Sequence, residues 1–259
     1  MTVLNSGSGI TGSFPDSAVA SKLEAFTRLS SDDKAALAEV SKNVRVVDAR
    51  RDVISEGDKS RHVHLILDGW ACRYKQMPDG KRQIVSFCLP GDFCDVNAFI
   101  LKYMDYSVGA LTRLKLAKIT SEEMTGLINT HPRIAQALWW HELVVAATQR
   151  EWTLNVGQRN AYERIAHLLV ELYMRLEAVG RAQHGRCDFP LTQNDLAEAT
   201  GLTAVHVNRR LQELPRDRLL ELDRKRLQIL DLQRLMEVSM FNPNYLHLDH
   251  EGRHLDARS

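Results

Sequence analysis

The sequence predicts an α+β chain, with a strand-rich first half and a helical second half joined by one long helix. Three observations lead there. Between Val44 and Ile119 short apolar or alternating runs such as "VRVVDA", "HVHLILDGWACRYKQM", "KRQIVSFCLPGDF" and "LTRLKLAKI" are punctuated by Gly57, Gly69, Gly80 and Gly91. That is the pattern of short strands closing into a small sandwich or barrel. From Pro132 to Asn155 helical spacing continues without a breaker. Beyond it, helical spacing returns and ends in an apolar strand pair, "LLELDRKRLQIL".

Bulk properties narrow the class. A chain of 259 residues, 44% hydrophobic, has room for two cores. Its formal charge is only +1, so any surface for a polyanion has to be local. Cys72, Cys88, Cys94 and Cys187 show no CxxC spacing and form no zinc or iron–sulfur set. Scattered cysteines fit a reducing compartment, and no apolar run approaches a membrane span, so a cytoplasmic protein without a membrane partner is expected. The start, "MTVLNSGSGITGSFPDS", lacks the basic and apolar regions of a signal peptide and reads as a flexible arm over residues 1–20. Residues 241–259 read as a flexible tail, with His247, His250 and His254 solvated rather than holding a metal.

Taken in order, Leu23, Phe26 and Leu29 precede "SSDDKAALAEV", where Ser30 or Ser31 can cap a short helix. The turn "MPDGKR" combines a φ-fixing proline with a permissive glycine and predicts a hairpin. Ser121 is a plausible cap for the helix that follows the strands. Pro132 suits the first turn of the long helix. On that helix Ile134, Leu138, His141, Val145, Thr148, Trp152 and Asn155 alternate steps of four and three. This is a heptad seam, and a second copy of the same helix is the partner it predicts. Leu143, Val144 and Ala147 then fall on other faces, toward the barrel. Gly157 is expected to break the helix. An amphipathic helix with Tyr162, Ile165, Leu168, Leu169, Leu172 and Leu176 on one side follows, ended by Gly180, and "RAQHGRCDFP" reads as a loop. The resulting boundaries are an arm over 1–20, a strand domain over 21–131, a helix over 132–156, a C-terminal domain over 157–240 and a tail over 241–259.

The most informative stretch is "LTQNDLAEATGLTAVHVNRRLQELPRDRLLEL". Thr192 and Asp195 have the spacing of a capping box. Leu196 and Ala197 face inward, and Gly201 makes a tight turn. Thr203 caps a second helix, whose Val207, Leu211 and Leu214 form a buried stripe. Pro215 ends it. Ala204, Val205, Asn208, Arg209 and Gln212 lie on the open side, where a recognition helix meets base edges. Arg209 can pair with guanine, Asn208 can read adenine or hold a phosphate, and Ala204 and Val205 offer only apolar contact. Thr203 and His206 suit phosphates, and Thr192 and Gln193 at the start of the first helix are counted with the DNA-binding residues. The strand pair after the second helix completes a winged helix-turn-helix. Arg216, Arg218, Arg224, Lys225 and Arg226 make a basic edge, offset by Asp217, Glu221 and Asp223.

With both halves in view, residues 20–238 resemble the Crp/Fnr family of bacterial transcription regulators. The C-terminal "LTQNDLAEATGLTAVHVNRRLQEL" carries most of the resemblance. "ISEGD" and "LILDGWACRYKQMPDGKRQIVSFCLPGDF" carry the rest. The resemblance implies an N-terminal double-stranded β-helix (jelly-roll) sensor, a long dimerisation helix and a C-terminal winged helix-turn-helix on a palindromic site. It also exposes departures. Cys94, Asp95, Val96 and Asn97 follow "PGDF" where cAMP binders have Gly-Glu. Asp105, Tyr106 and Ser107 stand where the phosphate-binding Arg-Ser would fall. No cation is placed for a cyclic phosphate, so cAMP is not the expected ligand. No cofactor is identified, and a small-molecule effector, if there is one, stays unnamed. A haem ligand would have to come from His62, His64 or Cys72. Val205 replaces the family's usual glutamate, while the arginine position is kept as Arg209.

The expected function is therefore sequence-specific DNA binding by a homodimeric transcription regulator. Double-stranded DNA and a second copy are its partners, with RNA polymerase beyond them. A ligand-sensing module acting on a protein partner without DNA is the alternative. No nucleophile–base pair, metal quartet or phosphate-cradling loop supports an enzyme.

Overall fold

The computed structural model describes residues 18–96 and 100–258. The expected arm, apart from residues 18–20, and Asn97 lie outside them. Helices α1 (Ala18–Glu24) and α2 (Ser31–Val40) open the chain. Ser30 caps α2 through a reciprocal pair with Asp33: Asp33 N–H donates to Ser30 Oγ (3.1 Å) and Ser30 N–H to Asp33 Oδ2 (2.9 Å). Seven strands follow: β1 (Val44–Val47), β2 (Asp52–Ile54), β3 (His62–Asp68), β4 (Ala71–Gln76), β5 (Arg82–Cys88), β6 (Ser107–Ala110) and β7 (Leu114–Thr120). They make two antiparallel sheets, ordered β1-β7-β3 and β2-β6-β4-β5. The "MPDGKR" hairpin joins β4 to β5 as expected, with Gly80 at φ +87°.

Alternation along the strands assigns three layers of core. Val47, Ile66, Leu114 and Leu116 of one sheet meet Ile54, Ala71, Cys88 and Val108 of the other. The opposite face of the first sheet, with Val63, Leu65, Ala117 and Ile119, is covered by Leu23, Leu37, Met124 and Ile134 from the helices. The outer face of the second sheet, with Cys72, Tyr74, Ile84 and Phe87, is covered by the C-terminal domain, so a single apolar cluster spans both halves of the chain.

Helices α3 (Ser121–Thr130) and α4 (Pro132–Gln158) follow β7. The cap of α3 is Thr120, not Ser121: Glu123 N–H donates to Thr120 Oγ1 at 3.1 Å. Gly157 does not break α4, which runs one residue beyond it. A glycine inside a helix costs only about 1 kcal/mol. The break comes at Arg159–Asn160, where the Asn160–Glu163 capping box starts α5 (Ala161–Ala178) afresh. The stretch expected to be a loop holds β8 (Ala182–Gln183) and β9 (Arg186–Asp188). These complete a four-stranded sheet, β10-β11-β9-β8, with β10 (Leu220–Asp223) and β11 (Arg226–Ile229). Helices α6 (Gln193–Thr200), α7 (Ala204–Arg216) and α8 (Leu232–Val238) finish the domain. α7 continues one residue past Pro215, since a proline in the last turn removes a single helical bond.

Two expectations fail on packing. Ile134, Leu138, His141, Thr148, Trp152 and Asn155 are all buried within the chain and Val145 is half-buried. His141 meets Phe93 edge-on at 6.0 Å and Trp152 meets Phe87 at 5.8 Å. The open face of α4 belongs to Trp139 and Leu143, 78% and 68% exposed, with Ala146 and Arg150 beyond. Helical period identifies an apolar stripe but not the partner that covers it. The tail is the second case. Ala257 N–H donates to Arg28 O (3.0 Å), Gly252 N–H to Phe26 O (2.9 Å) and Arg28 N–H to Asp256 Oδ1 (2.7 Å). His250 is set between Glu24 O (3.0 Å) and Asp256 Oδ1 (2.8 Å). The polar composition that suggested a solvated tail instead serves main-chain groups of the α1–α2 connection.

Candidate nucleic-acid interface

The helix-turn-helix is built as its caps dictate. Thr192 Oγ1 accepts from Asp195 N–H (3.2 Å), and Asp195 Oδ2 accepts from Thr192 N–H (2.8 Å). Gly201 turns at φ +66°, and a side chain there would be strained. Thr203 Oγ1 accepts from His206 N–H at 3.3 Å and starts α7. Val207 and Leu214 are buried and Leu211 is half-buried, which clamps α7 against α5 and α6.

The residues expected to read DNA are turned outward. Thr192, Gln193, Thr203, Val205, His206, Asn208, Arg209 and Gln212 are exposed, and Ala204 is half-exposed. The two helices touch across this face, since Gln193 Nε2 donates to Asn208 Oδ1 at 3.1 Å. Arg209 lies 3.3 Å from Glu213 Oε1, and Glu213 also takes Arg210. Both arginines are therefore aligned along α7 before any anion arrives. At the wing, Asp223 pairs with Arg226 across the ladder, so the turn is only Arg224 and Lys225. Both adopt positive φ, +44° and +66°, as a two-residue hairpin with a right-handed twist requires. The wing tip therefore carries two cations at positions where glycine or asparagine is usual.

Sequence reasoning missed what anchors this domain. Asp195 receives the guanidinium of Arg50 from the strand domain in a two-point pair, 2.5 and 2.8 Å. Arg82 reaches Glu198 (3.2 Å), and Gln83 Nε2 donates to Ala199 O (3.4 Å). Burial opposes ionisation of Asp195, yet the bonds from Arg50 and Thr192 prevail and hold its carboxyl below the ordinary range. A left-handed Arg50, φ +65°, and a buried aspartate inside a capping motif are properties of the folded chain that no local spacing reveals.

In the strand domain, the residues that stand where the family resemblance places a cyclic phosphate are bonded within the chain. Asp105 is exposed and its carbonyl takes Lys75, while Ser107 Oγ accepts from Glu56 N–H at 2.9 Å. A cation is present after all. Arg73 is buried, gives Nε to Cys94 O and Nη2 to Phe93 O, both at 2.9 Å, and lies over the Tyr106 ring. Of the haem-ligand candidates, His64 is bonded to Asp95 (Nδ1 to Oδ2, 2.7 Å), and burial pushes the Cys72 thiol up to about 12. Among the described residues no group of three or more ligand-type side chains could hold a metal, and no helix is long and apolar enough to cross a membrane.

A β-roll packed on a helix-turn-helix with an open recognition face and a wing defines a DNA-binding regulator. The chain belongs to the Crp/Fnr family of transcription regulators: residues 163–238 match the Crp-like helix-turn-helix domain and residues 44–131 the cyclic nucleotide-binding domain. It is similar to the transcriptional activator protein FnrL of Cereibacter sphaeroides, 33% identical over 196 residues, covering 74% of this chain and 78% of that one. It is also similar to the nitrogen fixation regulation protein FixK of Bradyrhizobium diazoefficiens, 30% identical over 63% of this chain and 68% of that protein. Among solved structures, FixK2 from Bradyrhizobium japonicum shares the fold with a TM-score of 0.68 at 22% identity, over 75% of this chain and 96% of that chain.

Proposed function

We propose that the chain acts as a homodimer in the cytoplasm, placing two copies of α7 in successive major grooves of a two-fold-symmetric operator. RNA polymerase is the further partner of a regulator so placed. The observation that carries this reading is the capped N-terminal end of α7, with Val205, Asn208 and Arg209 exposed beside an exposed wing. Phosphate contacts from Thr192, Thr203, His206, Arg224 and Lys225 would set position, and Arg209 and Asn208 would read bases. The uncovered Trp139 and Leu143 support α4 as the dimer contact, on the face opposite the expected seam.

The strand domain is proposed not to use cAMP. Arg73, the cation buried there, already gives Nε to Cys94 O and Nη2 to Phe93 O, and Asp105 stands where the family places a cation.

Selection of bound duplexes from a random pool tests the reading. Enrichment of an inverted repeat, bound by a dimer in sedimentation and lost steeply with added salt, is the expected result. Recovery of no preferred sequence would overturn it.

A further inference from the structure

Among the described residues all four cysteines are free and buried, but their surroundings differ. Cys187 sits in the wing sheet and Cys72 on the outer face of β4, and burial pushes both thiols up to about 12. Cys88 ends β5, and Cys94 follows the turn closed by Asp92 N–H to Leu89 O (2.9 Å). Cys94 N–H is pinned to His64 O at 2.8 Å. These two side chains share one core cluster and hydrogen-bond to each other. Cys88 also lines a cavity of about 30 Å³ with Lys22, Arg73, His141 and Arg175. A single water needs about 10–15 Å³ of such space, so the cavity has room for a molecule the size of hydrogen peroxide against Cys88. The Cys94 thiol, followed by the charges of Arg73, Arg175 and Lys22, draws Cys88 down to about 6 against the effect of burial. Cys94 moves in the opposite direction and keeps its proton. Facing Lys22, Arg73 and Arg175, Cys88 is the partner favoured as thiolate and Cys94 the one favoured as thiol.

We propose that Cys88 and Cys94 form a peroxide-reactive dithiol that closes to an intramolecular disulfide. The Cys88 thiolate attacks one oxygen of hydrogen peroxide. The O–O bond breaks, hydroxide leaves and is protonated to water, and Cys88 becomes a sulfenic acid, oxidised by two electrons. The Cys94 sulfur then attacks the Cys88 sulfur. The S–O bond breaks, the Cys94 proton departs with the hydroxide as a second water, and the S–S bond forms. Two thiols and one peroxide give one disulfide and two waters. A dithiol reductant reverses the change by exchange.

The site is wired to the DNA-binding half. Arg175 lies on α5, gives Nη2 to Phe87 O (2.8 Å), the residue before Cys88, and pairs with Asp92 at 2.9 Å. Lys22 of α1 also contacts Asp92, and Glu171 takes the other side of Arg175 at 3.2 Å. Oxidation removes the negative sulfur these cations face and draws Cys94, whose carbonyl holds Arg73, toward β5. On the DNA-binding reading above, that change reaches α5 and alters operator affinity.

The test uses the full chain treated with a small molar excess of hydrogen peroxide, then denatured without reductant and mapped by mass spectrometry. The expected result is a crosslinked pair of peptides containing Cys88 and Cys94, absent in Cys88→Ser and reversed by dithiothreitol. In Cys94→Ala, where the three cations still face Cys88, the peroxide reaction should be slower and should stop at a Cys88 sulfenic acid, trapped by dimedone present during denaturation. Wild-type protein whose Cys88 and Cys94 stay reduced while its exposed methionines oxidise would overturn the proposal, and this reading needs no variant to fold. Operator affinity of the two forms is measured separately, and a several-fold difference restored by reductant is expected. A crosslink with unchanged affinity would overturn the coupling. Absence of operator binding in both forms would count against the DNA-binding reading and leave the crosslink result standing.

Discussion

Arg209 shows how much a single exposed side chain can carry. It projects from the reading face with only Glu213 beside it, so removing it leaves no buried group unpaired. A bidentate arginine–guanine contact is worth about 1–3 kcal/mol of discrimination. Arg209→Ala is therefore expected to weaken operator binding about 10- to 100-fold, in gel shifts, while sedimentation and thermal melting stay unchanged. Asp33 is the opposite kind of residue, buried and fully engaged. Burial alone would raise its carboxyl, but Ser30, Arg133 and His131 hold it at about 2. Its folded value lies below the unfolded one, so the stabilisation is complete above about pH 4 and is lost as pH falls toward 2. That amounts to about 2 kcal/mol at most. Asp33→Asn should lower stability at neutral pH and flatten the acid limb of a denaturation series. An unchanged acid limb would show that the carboxylate is not the group responsible.

At the scale of elements, α6 answers to two masters. Its capping box makes the helix start, and the same aspartate binds the strand domain through Arg50. The capping part should cost about 1 kcal/mol when Asp195 becomes Ala. The two-point pair, half exposed on the arginine side, should add about 1 kcal/mol. A double-mutant cycle with Arg50→Ala and Asp195→Asn is expected to give a coupling of that size in chemical denaturation, and additivity would remove the pair from the account. Glu171 plays the matching part on α5. It is fully buried and accepts from Trp152 Nε1 of α4 and from the Tyr245 hydroxyl of the tail, each at 2.9 Å. The caps of α2, α6 and α7 were readable in the sequence because they depend on neighbours within four residues, whereas those of α3 and α5, Thr120 and Asn160, were not picked out. These joints were not readable, because they link residues up to 145 positions apart.

For the molecule as a whole, the proposed assembly turns on α4. Its inward stripe is occupied by its own β-roll and by α5, which leaves Trp139 and Leu143 as the most exposed large apolar side chains of the helix, with Leu154 and Val156 nearer its end. Trp139→Glu or Leu143→Glu should yield a folded monomer in sedimentation, with operator affinity reduced by loss of the second half-site. His141→Glu, placed in the buried stripe, should instead destabilise the fold, since a carboxylate would meet Phe93 away from water. Retention of the dimer in both outward variants would remove that face as the interface.

By itself the sequence determined the α+β class, most of the strands of the first half and the capped α6–turn–α7 unit. Each of these follows from local rules: alternation in strands, helical period, cap chemistry, and glycine or proline at turns. The tertiary structure alone decided which side of α4 is covered, that β8 and β9 widen the wing into a four-stranded sheet, and that the tail returns to α1. It also decided that Arg50 meets Asp195, and that Cys88 shares a core cluster with Cys94 and a cavity with Lys22, Arg73 and Arg175. The reason is physical. Period and spacing say which residues share a face, but the partner that buries the face is chosen by packing distant segments together, and charges and thiols acquire their chemistry only from that choice.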